Sequence, residues 1–288
     1  MIGNFLGVVF DGLAYGSLLF VISIGLSVTM GLMNFVNLAH GAFAMVGGYA
    51  VVLLMTQLGV PFLAALPVAF VVAALAGAVL ERLLYRRLYK ASHLDQVLFS
   101  IGLVFMSIAG ATKLFGSQQQ PVALPAFLRG QVHVLGLDLG SYRLFLIVVV
   151  VVITLALTWL IERTRFGAEI RASVDNQQAS VGLGINVYRV FSLTFALGSG
   201  LAGLGGALGI DVLGLDPTFP LKYMVYFLLV VAVGGAGTIK GPLLAALILG
   251  VADVAGKYYV PQVGAFIIYF VMVAMLLAFP RGVLGRRA

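Results

Sequence analysis

The chain has 288 residues, of which 62% are hydrophobic and only 9% charged, and its mean hydropathy is +1.13. A soluble domain carries about a quarter charged residues, so an ordinary cytosolic enzyme is excluded. The net charge of +7 lies in no Lys/Arg stripe with interleaved aromatics, which argues against nucleic acid as a partner, and with no cysteine there is no disulfide, thiolate metal site or cysteine nucleophile.

The first apolar run, about 7–30, has no basic n-region before it and no small-residue cleavage site after it, and is expected to stay as a membrane helix. Further runs fall at about 42–57, 62–81, 97–115, 143–161, 190–210, 222–237, 242–256 and 263–279. A hydrocarbon core of roughly 30 Å takes about 20 helical residues per crossing. Backbone groups in lipid must be satisfied within the segment, and no alternating strand pattern points to a barrel. The expected fold is all-α, one polytopic membrane helix bundle over 1–288 with about eight to ten crossings. Two stretches interrupt the pattern. Residues 31–41 are too polar for lipid and too apolar for a solvated loop, and 234–242 carry four glycines and a proline. Both are expected to be re-entrant or broken helices buried in protein, and their placement in the two halves hints at an internal repeat, with Gly41 and Gly241 each opening a helix.

Counting crossings back from the C-terminus puts Arg82, Arg86, Arg87, Lys90, Arg163, Arg165, Arg171, Arg189, Lys240, Arg281, Arg286 and Arg287 on one face. The other face receives Lys113, Arg129, Arg143, Lys222 and Lys257. The excess marks the cytoplasmic side, so the N-terminus is expected outside and the C-terminus in the cytoplasm. The loop at about 163–189 is then cytoplasmic. Within it Ala168 to Val181 reads as one short helix, with Ile170, Val174 and Val181 on one stripe and Arg171, Asp175 and Gln178 pointing elsewhere. At three or four turns it is too short to stand alone in water; it is either a loop lying on the membrane or a helix docked on a partner.

No catalytic set is visible, and the chain has no phosphate-binding loop motif. His40, His93 and His133 fall in a probable membrane segment, a cytoplasmic loop and an external loop, so no metal site is expected. Asp11, Asn34, Asn37 and His40 stand out because polar side chains in the bilayer are costly unless partnered. They read either as a polar wall of a translocation path or as hydrogen-bonded helix contacts. Asp253, four residues before Lys257, reads as an ion pair on one helix face. Gly198, Ala202 and Gly206 form a small-residue ridge for close helix packing. The basic stretch 85–90 follows from topology or touches anionic lipid. The external loops at about 116–142 and 211–221 offer docking surfaces.

The segment Asn34 to Gly41 with Met45 to Tyr49, Arg163 to Gly167 with Arg171, Ala172, Gln178, Ala179 and Gly184 to Asn186, Ala196 to Gly203, and Gly234 to Thr238 with Gly241 and Pro242 together resemble bacterial ABC-importer permeases of the branched-chain amino acid family, in its shorter, LivH-like branch. The resemblance implies a bacterial inner-membrane permease subunit that moves branched-chain or related small amino acids by alternating access. Its implied partners are a second, LivM-like permease subunit, two cytoplasmic ABC ATPases, a periplasmic substrate-binding protein and membrane lipid. No cofactor is implied on this chain; ATP and Mg are used by the ATPases. It also implies that Arg171, Asp175, Gln178, Ala179 and Gly184 belong to the ATPase-coupling helix, although Gln178 stands where the importer coupling motif has Glu. A urea or short-amide importer and a self-sufficient channel or secondary transporter are the alternatives.

Overall fold

A computed structural model of the chain describes residues 2–33, 35, 37–89, 91–134, 137–279 and 282–284. Asn34, Lys90, Arg281, Arg286 and Arg287 lie outside the described residues. Seven helices are long and apolar enough to cross a membrane: α1 (Ile2–Met33), α2 (His40–Leu58), α3 (Phe62–Leu80, continued by a π-helical turn at Glu81–Tyr85 and by α4, Arg86–Leu88), α5 (His93–Phe115), α6 (Ser141–Arg163), α9 (Val187–Leu213) and α11 (Lys240–Tyr259). Two shorter apolar helices, α10 (Phe219–Gly234) and α12 (Gly264–Ala278), complete the bundle. The chain is thus an all-α polytopic membrane protein.

The helix ends follow local chemistry. Ser92 caps α5 by accepting from the Asp95 amide at 3.2 Å, and Gly59 ends α2 at a φ of +64°. Pro242 falls in the first turn of α11, where its missing N–H costs nothing.

Helix α9 is the hub. In its most apolar window 78% of residues are buried, against 17% in α5 and 22% in α6, which leaves those two for lipid. Each glycine in a helix interior costs about 1 kcal/mol of propensity; here the loss is offset by backbone contact that no side chain would permit. A Cβ on Gly206 would lie 2.0 Å from the Ala44 carbonyl oxygen of α2, and one on Gly25 of α1 2.1 Å from that of Gly198. Ala202, between Gly198 and Gly206, has no exposed surface. The same device joins α1 to α11, where a Cβ on Gly250 would lie 2.4 Å from the Gly16 backbone.

The 234–242 stretch is a break between α10 and α11 rather than a separate re-entrant helix, and its turn packs on the last turns of α1; of 31–41, residues 31–33 end α1 and 40–41 open α2. Gly31, near the end of α1, has its Cβ direction blocked by the Gly237 Cα at 2.1 Å. The Gly237 amide donates to the Ser27 carbonyl at 2.9 Å, and the Ser27 hydroxyl to the Thr238 carbonyl at 3.1 Å. The reversal itself uses Gly235 and Gly237 at φ of +88° and +79°. The polar backbone is therefore satisfied from α1, which is why these residues need neither lipid nor water. Gly41 and Gly241 do occupy the second positions of α2 and α11.

The 116–142 connection is not featureless. It holds a 3-10 turn at Ala126–Leu128 and an antiparallel hairpin of β1 (Gln131–Val134) and β2 (Leu137–Gly140), in register Gln131 to Gly140. Four-residue strands lie below the length at which a period-2 pattern can be read.

Gly206→Leu is expected to destabilise the bundle by about 3 kcal/mol through overpacking, whereas Gly102→Leu on α5, with open space around it, should be nearly neutral. Thermal unfolding of both variants in detergent checks the pair.

Candidate functional site

One end of the bundle carries the α3–α5, α6–α9 and α10–α11 connections together with the end of α1. The 163–189 segment sits here, and its expected single helix is two: α7 (Arg165–Asp175) and α8 (Gln177–Gly182). Asn176 breaks the continuous stripe expected from the periodicity, because its side chain accepts from the Ala179 amide at 2.9 Å and starts a new helix. Thr164 caps α7 through the Gly167 amide at 3.1 Å, and the Asn186 side chain caps α9 through the Arg189 amide at 3.0 Å. Gly184, at a φ of +84°, makes the turn between α8 and α9.

What holds this short segment comes from the same chain. Gly167, Ile170 and Ser173 form the buried face of α7. Gly167 leaves room for the Ile161 carbonyl, which also accepts from Arg171 Nη1. Ile170 packs with Val187, Val190 and Phe191, and Met33, Tyr89, Phe166 and Ile185 lie against that cluster. Burying such an isoleucine contributes about 2 kcal/mol. Val174 and Val181, expected on the same stripe, are instead exposed, as are Arg171, Asp175, Gln178 and Ala179. A cavity of about 310 Å³ lies between α7 and the Gly237 reversal, lined among others by Gly31, Ile170, Arg171, Asp175 and Thr238.

Beneath α7 lies a polar cluster that the sequence did not disclose. Glu81, at the π-helical turn, is 1% exposed. It accepts from the Ser192 hydroxyl at 2.6 Å and from the Tyr89 hydroxyl, while Arg82 Nε donates to Ser192 Oγ at 3.3 Å. One turn on, the Tyr85 hydroxyl donates to Asn37 Oδ1 at 2.9 Å, and that oxygen also accepts from the Ala39 amide at 3.0 Å, which starts α2. Phe35 meets Tyr85 and Tyr89 edge-on, and Tyr89 meets Phe191 in the same way. A continuous set of contacts therefore runs from Ile170 through Phe191, Tyr89, Phe35 and Tyr85 to Asn37. In sequence Glu81 beside Arg82 reads as the solvated end of an apolar run; only the facing Ser192 shows otherwise.

The residues picked out for a translocation path do not gather in one place. Asn37 is buried in the cluster just described. His40 donates from Nε2 to the Ile22 carbonyl of α1 at 2.8 Å. Asp11 is at the opposite end, ion-paired with Arg143 of α6 and about one-third exposed. Asn34 is outside the described residues. Asp253 and Lys257 do pair, at 2.6 Å.

At that opposite end the two loops named as docking surfaces are tied together. The Gln120 amide donates to the Leu215 carbonyl at 2.8 Å, and Gly214 leaves room for the Gln119 side chain. Asp216 accepts from the Thr218 amide at 2.8 Å and pairs with Lys222. Burial pushes the Asp216 carboxyl up, but the hydrogen bonds from Lys222 and Thr218 outweigh it and hold the group below the usual carboxylate range. Among the described residues no cluster of three His, Asp or Glu is placed to hold a metal.

This helical membrane architecture has known relatives. The family model described as branched-chain amino acid transport system / permease component matches residues 8–276. The chain belongs to that family. It is 29% identical to the high-affinity branched-chain amino acid transport permease BraD of Pseudomonas aeruginosa, covering 96% of this chain and 94% of the relative. It is 28% identical to LivH of Escherichia coli over 98% and 96%, and 28% to a probable LivH of Methanocaldococcus jannaschii over 94% and 90%. No solved structure matches it.

Two outcomes follow from this geometry. Asn37→Ala strands the Tyr85 hydroxyl and should cost about 1–3 kcal/mol; a double-mutant cycle with Tyr85→Phe should show coupling of about 1 kcal/mol in thermal unfolding. Because the Asp216 carboxyl is lowered in the folded state, its contacts contribute stability above the unfolded value of about 3.9 and lose it as pH falls through the folded value. Hydrogen exchange at 214–218, corrected for intrinsic rates, should therefore accelerate only below about pH 4, and Asp216→Asn should remove that dependence.

Proposed function

We propose that the chain is the membrane-spanning permease subunit of an ATP-driven importer for branched-chain or related small amino acids, working by alternating access. The observation that carries this reading is the α7–α8 pair: anchored from within by Gly167 and Ile170, it turns Gln178, Ala179, Val181 and Leu183 outward, the last two 60% and 81% exposed. An apolar tip on a rigid base, outside the bundle, is the form of a docking element. Its partners on this reading are two cytoplasmic ATP-binding-cassette subunits that use ATP and Mg, beside a second, LivM-like permease subunit and a periplasmic substrate-binding protein.

Charge supports the orientation. Arg82, Arg86, Arg87, Arg163, Arg165, Arg171, Arg189 and Lys240 belong to the α7/α8 end, and that end faces the cytoplasm of a bacterial inner membrane by the positive-inside rule. The tied loops around Gln120 and Leu215 then face the binding protein. Closure of the ATPases moves the α7–α8 pair, and the Phe191–Tyr89–Phe35–Tyr85–Asn37 contacts pass the displacement to the start of α2. ATP binding shifts the equilibrium only by its differential affinity for the two states.

Ala179→Asp is the cleanest test. The residue is exposed and lies in the first turn of α8, where an acidic side chain is tolerated by the helix. Leucine uptake by the assembled importer is expected to fall at least about tenfold, equivalent to about 1.4 kcal/mol of lost coupling, with insertion and thermal stability kept. Unchanged uptake would remove the coupling role.

A further inference from the structure

The cavity between α7 and the turn at Gly237 holds about 310 Å³, at the lower end of the range that small-molecule sites occupy. One wall is α7, with Ile170, Arg171, Val174 and Asp175; Ile161 at the end of α6 and Ala236 in the turn belong to the others. Ile170 is buried, whereas Arg171, Val174, Asp175 and Ala236 are exposed, so the cavity opens at the α7/α8 end of the molecule. Two charged residues at its mouth place that opening in water rather than in lipid.

The lining is of two kinds. Arg171 and Asp175 stand four residues apart on α7, so they are neighbours on one helix face. The Arg171 guanidinium is held at the cavity because its Nη1 donates to the Ile161 carbonyl, and its other N–H groups can still meet an anion. A carboxylate such as that of Asp175 has lone pairs for more than one donor. Beside them Ile161, Ile170 and Val174 contribute branched apolar side chains. A cation, an anion and a branched aliphatic wall around one small space match a zwitterion that carries a branched aliphatic chain.

We propose that this cavity binds a free branched-chain amino acid from the cytoplasmic side and thereby slows import. The α-carboxylate lies on Arg171, the α-ammonium on Asp175 and the side chain against Ile161, Ile170 and Val174. Both charged groups of such a ligand sit on one carbon, which suits partners one helical turn apart. The effect on import follows from what the walls are. Helix α7 belongs to the pair that the ATPases move, while the turn at Gly237 is bonded to Ser27 of α1. A ligand seated between them ties the moving part to the bundle. It favours the arrangement in which the cavity is open and disfavours any in which it closes. Product that accumulates inside then restrains its own entry. This rests on the amino-acid reading and the orientation proposed above.

The complete importer is reconstituted in proteoliposomes with ATP trapped inside. The initial rate of radiolabelled L-leucine uptake is then measured against unlabelled L-leucine loaded inside. Uptake by the wild type is expected to fall at least about fivefold at millimolar internal leucine. Internal 4-methylpentanoate, isoamylamine and glycine, which lack in turn the ammonium, the carboxylate and the apolar chain, should inhibit far less. Arg171→Gln removes the carboxylate contact, and Ala236→Phe fills the cavity from the turn. Each should raise the internal leucine needed for half-inhibition at least about tenfold. Inhibition is read as a ratio within each variant, so a change in its uninhibited rate does not enter. A variant without uptake is read by equilibrium binding of radiolabelled leucine to the assembled importer in nanodiscs, without the binding protein, and the same loss is expected. Where one variant does not assemble, the other decides. Wild-type sensitivity in either assembled variant overturns the site, as does wild-type uptake indifferent to internal leucine; normal uptake leaves the permease reading standing in both cases. Inhibition by 4-methylpentanoate equal to that by leucine overturns it in favour of a fatty-acid site. Absence of leucine uptake in the wild type overturns the amino-acid reading and the site together.

Discussion

The bundle depends on the distance of closest approach between α9 and its neighbours. In lipid the apolar side chains of two helices gain nothing by leaving their surroundings, so association must come from dense contact. Gly25 against Gly198 and Gly206 against Ala44 supply it by bringing backbone onto backbone. A helix held in this way is positioned by hard contacts rather than by a greasy average. That precision is what lets Ser192, at the other end of the same helix, meet a buried Glu81 at hydrogen-bond distance.

The same hub explains where the irregular backbone went. Once α1 and α11 approach through Gly16 and Gly250, the ends of α1 and α10 arrive side by side, and the turn within 234–242 can be satisfied by the last turns of α1. Ser27 does this twice, accepting from the Gly237 amide and donating to the Thr238 carbonyl. That turn would not be stable in hydrocarbon alone. Its sequence oddity, a run of glycines in an apolar context, is the local cost of a contact made far along the chain.

Much of this was legible beforehand. The nine apolar runs correspond to nine apolar helices among the described residues, because in lipid the length and composition of a segment decide its structure with little help from its neighbours. The small-residue ridge of α9 was legible for the same reason: a four-residue repeat of glycine and alanine has few uses other than close packing. The 168–181 segment is helical as expected but in two pieces rather than one, since periodicity averages over a cap, and Asn176 overrode it through one hydrogen bond. Asp11 looked like a membrane carboxylate because its partner Arg143 is distant in sequence. Glu81 and Tyr85 were missed for a related reason. Each gains its meaning from a residue on another helix, and no spacing within one helix encodes that.

The two ends of the molecule stabilise acidic groups by different means, and the difference bears on motion. At the hairpin end Asp11, Asp216 and Asp253 each pair with a Lys or Arg. Charge attraction of this kind decays slowly with distance, so such pairs tolerate small displacements. At the α7/α8 end Glu81 is held by the hydroxyls of Ser192 and Tyr89, and among the described residues no Lys or Arg forms an ion pair with it. Hydroxyl bonds weaken steeply with angle and distance, and Arg82 reaches Glu81 only through the Ser192 hydroxyl. A shift of α9 against α3 there meets a step in energy rather than a slope, and the contact is either made or replaced by another of equal quality. A segment pushed from outside through Ile170 and Phe191 would therefore move between discrete arrangements, which is the requirement for converting a docking event into a change of state.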